Sequence, residues 1–194
     1  MSPRRLLLAS TSRYRRALLE RLQLDFTAEP PGVEETYLAA EAPAVRAERL
    51  AQAKARAVAE RHPEAIVIGS DQVAARGTEI FDKPGGVPAA CAQLARLSGQ
   101  AVEFHTAVAV CCTERGFLRT HLDTTRVIFR SLSPQEIERY VGRERPLDTA
   151  GSFKSEGLGI ALLSRIEATD PTALIGLPLI WVAATLRELG LCVP

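Results

Sequence analysis

The run Ala65-Ile66-Val67-Ile68 constrains this chain more than any other segment, because Gly69-Ser70-Asp71-Gln72-Val73 follows it directly. Consecutive β-branched residues without a charge predict a central strand covered on both faces. In open α/β sheets ligands bind beyond the carboxyl ends of such strands, so an aspartate ending this one points at a cleft. The competing reading of Asp71 is a helix cap or a turn residue, both common uses of Asp.

A second segment favours the cleft. Leu6-Leu7-Leu8-Ala9 runs through Ser10, Thr11 and Ser12 into Arg13-Tyr14-Arg15-Arg16-Ala17-Leu18-Leu19, a strand passing through hydroxyl residues into an amphipathic helix. Free N–H groups in a helix's first turn attract anions, and hydroxyls and arginines beside them add donors suited to phosphate oxygens. Neither a P-loop nor a dinucleotide-binding glycine pattern is present. Taken singly, Ser12 reads equally well as an ordinary N-cap and the arginines as a solvated face.

The remaining pattern alternates strand and helix. A strand over 4–9 leads to a helix from about 13 to 22, and a helix from about 43 to 61 precedes the Asp71 strand. A turn at Arg76-Gly77-Thr78-Glu79 leads to Asp82-Lys83-Pro84, and a helix from about 87 to 97 stops at Ser98-Gly99. Residues 102–112 and 117–129, linked around Glu114-Arg115-Gly116, read as an antiparallel pair, since so short a link cannot serve a parallel crossover. Ser133-Pro134-Gln135-Glu136 carries an N-cap, a proline at the first helical position and a capping-box glutamate. The loop from Gly151 to Gly159 is expected to enter a strand over 160–166, and Leu177 to Leu189 a last helix closed by Gly190.

With 194 residues the chain fits one domain or a tightly joined pair, and a single domain over 1–194 is expected. A net charge of +1 argues against a general nucleic-acid binder, which needs a strongly basic face. No apolar run approaches the ~20 residues that cross a bilayer, and the start leads into the hydroxyl segment instead of a cleavage site, so no membrane partner and a cytoplasmic location are expected. Cys91, Cys111, Cys112 and Cys192 lack metal-ligand spacing and read as reduced thiols; Cys111 and Cys112 should face opposite sides of a strand. His62, His105 and His121 are scattered, so neither a histidine zinc site nor a Ser-His-Asp triad has support.

Seven blocks in order carry a resemblance to a known family: residues 8–16, Val33-Glu34-Glu35, Ala51-Gln52-Ala53-Lys54-Ala55, Gly69 to Val73, Asp82-Lys83-Pro84, 150–159 and 175–179. The chain resembles the Maf proteins, which look like nucleoside-triphosphate pyrophosphatases, and within them the 7-methyl-GTP subgroup. The resemblance implies an elongated mixed α/β sheet flanked by helices, two lobes around a substrate cleft, and a homodimer. It implies hydrolysis of 7-methyl-GTP to 7-methyl-GMP and pyrophosphate, with Mg2+ or Mn2+ as cofactor and a small nucleotide as partner. Two alternatives remain: an enzyme of the same family acting on dTTP and UTP, or a non-catalytic nucleotide-binding regulator of septum formation. The chain departs from the usual pattern at Arg13, where the family carries Pro, and at Tyr14, where the subgroup carries Trp.

The site residues follow. Lys54 recurs with Leu50 and Val58 on the inward stripe of its helix, where a snorkelling lysine or one aimed at phosphate would both fit. The motif match favours phosphate, and assigns Ser10, Ser12, Arg15 and Lys83 the same role, with Lys154 a further candidate. Lys83 and Lys154 otherwise read as loop lysines. Glu34 and Glu35 form an acidic pair; the family pattern favours Glu35, with Asp71, as metal ligand, and Glu34 is the reserve. Magnesium commonly takes one or two protein carboxylates, with water and substrate phosphates completing its shell. Asp71 is the catalytic group, whether as metal ligand, water positioner or proton acceptor. Tyr14, Gln72 and Glu156, where the UTP enzymes carry Arg, Thr and Gln, are the specificity residues. A carboxylate accepts from guanine N1–H and N2–H2, and an aromatic ring favours the cationic 7-methyl base. Against this, Tyr14 could pack with Leu18 and Leu22, and Glu156 could be a solvated loop residue.

Overall fold

The computed structural model describes residues 4–194; Met1, Ser2 and Pro3, and the reading placed on that start, lie outside the described residues. The first half alternates as expected: β1 (Leu6–Ala9), α1 (Arg13–Glu20), β2 (Phe26–Glu29), α2 (Pro43–Ala59) and β3 (Ile66–Arg76). β1 pairs in parallel with both β2 and β3, and α1 and α2 supply the crossovers that parallel neighbours require. There follow β4 (Glu79–Ile80), α3 (Val87–Leu97), β5 (Ala101–Cys112), β6 (Phe117–Phe129), α4 (Pro134–Glu144), β7 (Leu163–Glu167) and α5 (Leu179–Glu188). The sheet runs β2-β1-β3-β5-β6-β7, with β4 paired to β3.

The expected antiparallel pair is β5 and β6, turned by a 3-10 turn over Thr113–Arg115 and by Gly116 in the left-handed region at φ 59°. Ser133 opens α4 with both halves of the capping box. Cys111 and Cys112 point to opposite faces, each into a different apolar cluster.

Two expectations are corrected. Asp71 does not end its strand, because β3 continues to Arg76, antiparallel to β5 from Val67 to Ala75. The strand that ends here is β1, whose last pair is Ala9 with Gly69. The expected strand 160–166 is a 3-10 turn over Leu158–Leu162 followed by β7, with Gly159 and Leu162, three apart, as its buried positions. Gly159 lies so close to the Lys154 carbonyl that an added Cβ would sit 2.3 Å from it, so only glycine fits this turn as built. β2, half-buried and four residues long, was not foreseen.

Two features of β3 place the site. Val67, Gly69 and Asp71 face α2, whereas Ile68, Ser70 and Gln72 face the segment 172–177. At Gly69 a Cβ would lie 2.5 Å from both the Ala51 carbonyl oxygen and the Ala55 nitrogen, so glycine lets α2 press directly onto the strand. Ala47, Ala51, Ala55 and Ala59 form the matching small face of the helix. Secondly, along the edge of β3 that carries β1 and then β4, no strand covers Ser70 to Ala74. That gap opens between two cores. One gathers Phe81, Phe104, Phe129 and Phe153; the other lies on both faces of β1 and β3.

Candidate active site

A cleft of about 560 Å3 fills this gap, within the range of small-molecule sites. Its first wall is the loop from β1 to α1. Ser10 Oγ accepts from the Ser12 amide at 3.1 Å, and Ser12 caps α1, its Oγ accepting from the Arg15 amide at 3.4 Å. Both hydroxyls accept in these contacts and keep their own protons to donate. Arg15 turns into the cleft and is anchored by its Nε, which donates to the Gly176 carbonyl at 3.0 Å. Ser70 Oγ donates to the same oxygen at 2.9 Å. Burial draws the Arg15 pKa down from its ordinary value, opposed by the carboxylates of Asp71 and Glu35.

Behind this wall lies an ion cluster. Lys54 Nζ sits 2.5 Å from Glu35 Oε1 and 2.6 Å from Asp71 Oδ1. Lys54 and Asp71 are buried, whereas the Glu35 side chain is half-exposed. Lys54 therefore points inward, as its helical stripe indicates, with its ammonium held by two acids. Burial raises the Glu35 pKa, but the Lys54 hydrogen bond, with the charges of Lys54, Lys83 and Arg15, outweighs burial and holds it below the ordinary range. Lys54, Glu35 and the exposed Lys83 line the cleft; Asp71 does not, lying one side chain deeper. Among the described residues no three His, Cys, Asp or Glu converge on a point. Glu35 and Asp71 converge on one cation, the ammonium, and two hard oxygen ligands fit an ion that completes its shell with water and phosphate.

The opposite end is largely aromatic and apolar. Tyr14, Phe104, Phe153, Leu174 and Ile175 line it with Gln72, Asp148 and Glu156. Tyr14 leaves the apolar face of α1, and its hydroxyl lies 3.3 Å from Asp148 Oδ2 and 2.7 Å from Arg13. Gln72 Nε2 donates toward Thr106 Oγ1 and the carbonyls of Ala173 and Leu174. Glu156 is exposed on the rim.

Lys154 lies just behind the cleft lining, 3.9 Å from Asp148, which does line it. Its ammonium donates to the carbonyls of Glu144 at 3.0 Å and Arg145 at 3.4 Å, closing the last turn of α4 outside the cleft lining. A lysine there satisfies orphan carbonyls at a helix C-terminus. Glu34 is exposed and outside the lining too.

Sequence reasoning passed over Asp148, and also Asp170 and Thr172. Asp170 accepts from the amides of Thr172 at 2.8 Å and Ile180 at 2.7 Å, fixing the segment that carries Ala173 to Gly176 to the start of α5. The signal available was an Asp-Pro-Thr turn ahead of Gly-Leu-Pro.

A strand-loop-helix cradle, cations around paired acids and an aromatic-walled slot thus share one cleft on a mixed α/β scaffold. The chain belongs to the Maf-like protein family, whose model matches residues 5–189. A protein of Aromatoleum aromaticum named 7-methyl-GTP pyrophosphatase is 59% identical over 190 residues, 98% of each chain. Proteins of the same name from Xanthomonas campestris and Bordetella pertussis are 55% and 53% identical, covering 98% and 97% of this chain and 98% and 94% of theirs. The Staphylococcus aureus Ham1 protein is similar in fold, with a TM-score of 0.53 across 95% of this chain and 99% of its own, at 12% identity. Among the described residues no helix is long and apolar enough to cross a membrane.

Proposed function

We propose that the chain hydrolyses 7-methyl-GTP between its α and β phosphates, giving 7-methyl-GMP and pyrophosphate. The observation that carries this reading is one cleft lined by Arg15, Glu35, Lys54 and Lys83 at one end, with Asp71 behind Lys54, and by Tyr14, Gln72 and Glu156 at the other. The names borne by relatives at 53–59% identity support the same substrate.

Arg15 and Lys83, with the hydroxyls of Ser10 and Ser12, bind the phosphates and neutralise the charge that gathers on the leaving pyrophosphate. Glu35 and Asp71 would hold a divalent cation, Mg2+ or Mn2+, which when bound draws charge from the phosphates and makes water a better nucleophile. Substrate phosphates draw the Lys54 ammonium outward and uncover Asp71. Asp71 Oδ2 then orients the attacking water and takes its proton. Glu156 accepts from the guanine edge, and the Tyr14 ring lies against the cationic base, a contact worth about 0.5–2 kcal/mol.

We place the reaction in the cytoplasm, as a homodimer. The free thiols Cys111 and Cys112, buried and unpaired, suit a reducing compartment, and the homodimer rests on the family resemblance. The test is pyrophosphate release from 7-methyl-GTP, GTP, UTP and dTTP, with Mg2+ or Mn2+ and with chelator. Metal-dependent release led by 7-methyl-GTP supports the reading; release led by UTP or dTTP replaces it with the pyrimidine activity. Nucleotide retained without release makes the protein a binder.

A further inference from the structure

Gln72 lies on the base side of β3, and its neighbours restrict its side chain to one of two chemically opposite orientations. Nε2 is 2.9 Å from Thr106 Oγ1, 3.1 Å from the Ala173 carbonyl and 2.9 Å from the Leu174 carbonyl. Thr106 is wholly buried, directly across from Gln72 in the pairing of β3 with β5, and its hydroxyl donates to the Ala173 carbonyl at 2.9 Å. While it holds the Ala173 carbonyl, that hydroxyl accepts from Gln72. Turned over, Oε1 would meet the Ala173 and Leu174 carbonyls with no hydrogen between them, and Thr106 could donate to it only by releasing the Ala173 carbonyl it now holds. The amide thus keeps its NH2 inward, and Oε1 is the polar atom it has to offer the cleft it lines.

We infer that Thr106 is a specificity-positioning residue: it locks Gln72 so that the cleft presents an acceptor, not a donor, to the base. The inference rests on the proposed base site of Gln72 and Glu156. With a carboxylate on one side and a fixed carbonyl oxygen on the other, the slot matches bases that donate side by side, as guanine does through N1–H and N2–H2. Uracil and thymine flank a single donor with carbonyl oxygens, and those oxygens meet acceptors. A free glutamine would turn over and tolerate them; a locked one does not.

The experiment compares Thr106→Val, which keeps the shape and loses the hydroxyl, with Thr106→Ser, which keeps the hydroxyl. The kcat/KM ratio of 7-methyl-GTP to UTP is expected to fall about 3- to 10-fold in Thr106→Val, the yield of one hydrogen bond, through KM with kcat little altered. Thr106→Ser should restore the ratio. Thr125→Val, which removes another buried hydroxyl from the neighbouring strand, should leave it unchanged. An unaltered ratio in Thr106→Val, an equal loss on both substrates, or a shift that Thr106→Ser fails to reverse overturns the inference. Calorimetric binding of GMP, IMP and UMP separates it from the proposed reaction. A wild-type protein that cleaves no 7-methyl-GTP refutes the reaction, whereas a GMP preference over UMP and IMP that survives Thr106→Val refutes the lock.

Discussion

Gly69→Ala tests what aligns the ion cluster. The added methyl would sit 2.5 Å from the Ala51 carbonyl oxygen and the Ala55 nitrogen and 2.9 Å from Ala55 Cα. All three are main-chain atoms inside the 17-residue α2, so no change of rotamer relieves the contact. Ordinary contact begins near 3.4 Å, and the helix must withdraw from β3 by about 1 Å, with an overpacking penalty of about 1–3 kcal/mol. For a chain of this size each kcal/mol lowers Tm by roughly 2–4 °C, so a fall of about 3–10 °C is expected. Lys54 adjoins Ala55 and withdraws with it from Asp71, where the ion pair now measures 2.6 Å. A misplacement of about 1 Å at a reacting site costs on the order of 100-fold in rate. Thermal unfolding gives the first quantity, and pyrophosphate release from 7-methyl-GTP, measured well below the variant's Tm, gives the second. Adding Ala55→Gly should not rescue either, because the obstructing atoms are backbone. A Gly69→Ala protein of unchanged Tm and turnover, or one rescued by Ala55→Gly, refutes the account.

Asp71→Asn should lower turnover by at least about 100-fold while nucleotide binding persists, since the amide keeps the shape but loses basicity and metal affinity; turnover near wild type in steady-state assays would refute the assignment. Glu156→Gln with Gln72→Thr should reduce 7-methyl-GTP hydrolysis far more than UTP hydrolysis, and an unchanged ratio removes both residues from base recognition. Asp123 is buried with one carboxylate oxygen unpartnered, and burial, reinforced by Asp170, raises its pKa. A raised carboxylate pKa means that stability present at low pH is lost as pH climbs through the folded value. Asp123→Asn should therefore gain in Tm over wild type more at about pH 8 than at about pH 4; equal differences at both would show that folding does not raise the Asp123 pKa.

What the sequence made legible was whatever local pattern encodes. Lys54 stood out because one helix's periodicity assigns it inward, and the capping box at Ser133 because its two halves lie three residues apart. Asp71 stood out as a candidate, but its position was misjudged, because the strand that ends there is β1 and nothing in the 65–73 segment records where its neighbour stops. Lys154 shows the opposite limit. A lysine in a glycine-bearing loop looks the same whether it reaches phosphate or the carbonyls of Glu144 and Arg145, and only the placement of α4 decides. Gln72 was identified by motif, yet the orientation of its amide depends on carbonyls about a hundred residues away. Those relations belong to packing, which a linear pattern does not express.

Because successive side chains of β3 leave on opposite faces, Asp71 and Gln72 are neighbours in the chain yet meet different partners, Lys54 of α2 on one face and the 173–174 carbonyls on the other. Changes at Gln72 or among its partners, Thr106 and the 173–174 carbonyls, fall on the far side of the sheet from Gly69, α2 and Lys54. That alternation makes β3 intolerant of length change: deleting one residue ahead of Gly69 would turn the carboxylate toward the 172–177 segment and the amide toward α2, so that each met the other's partners.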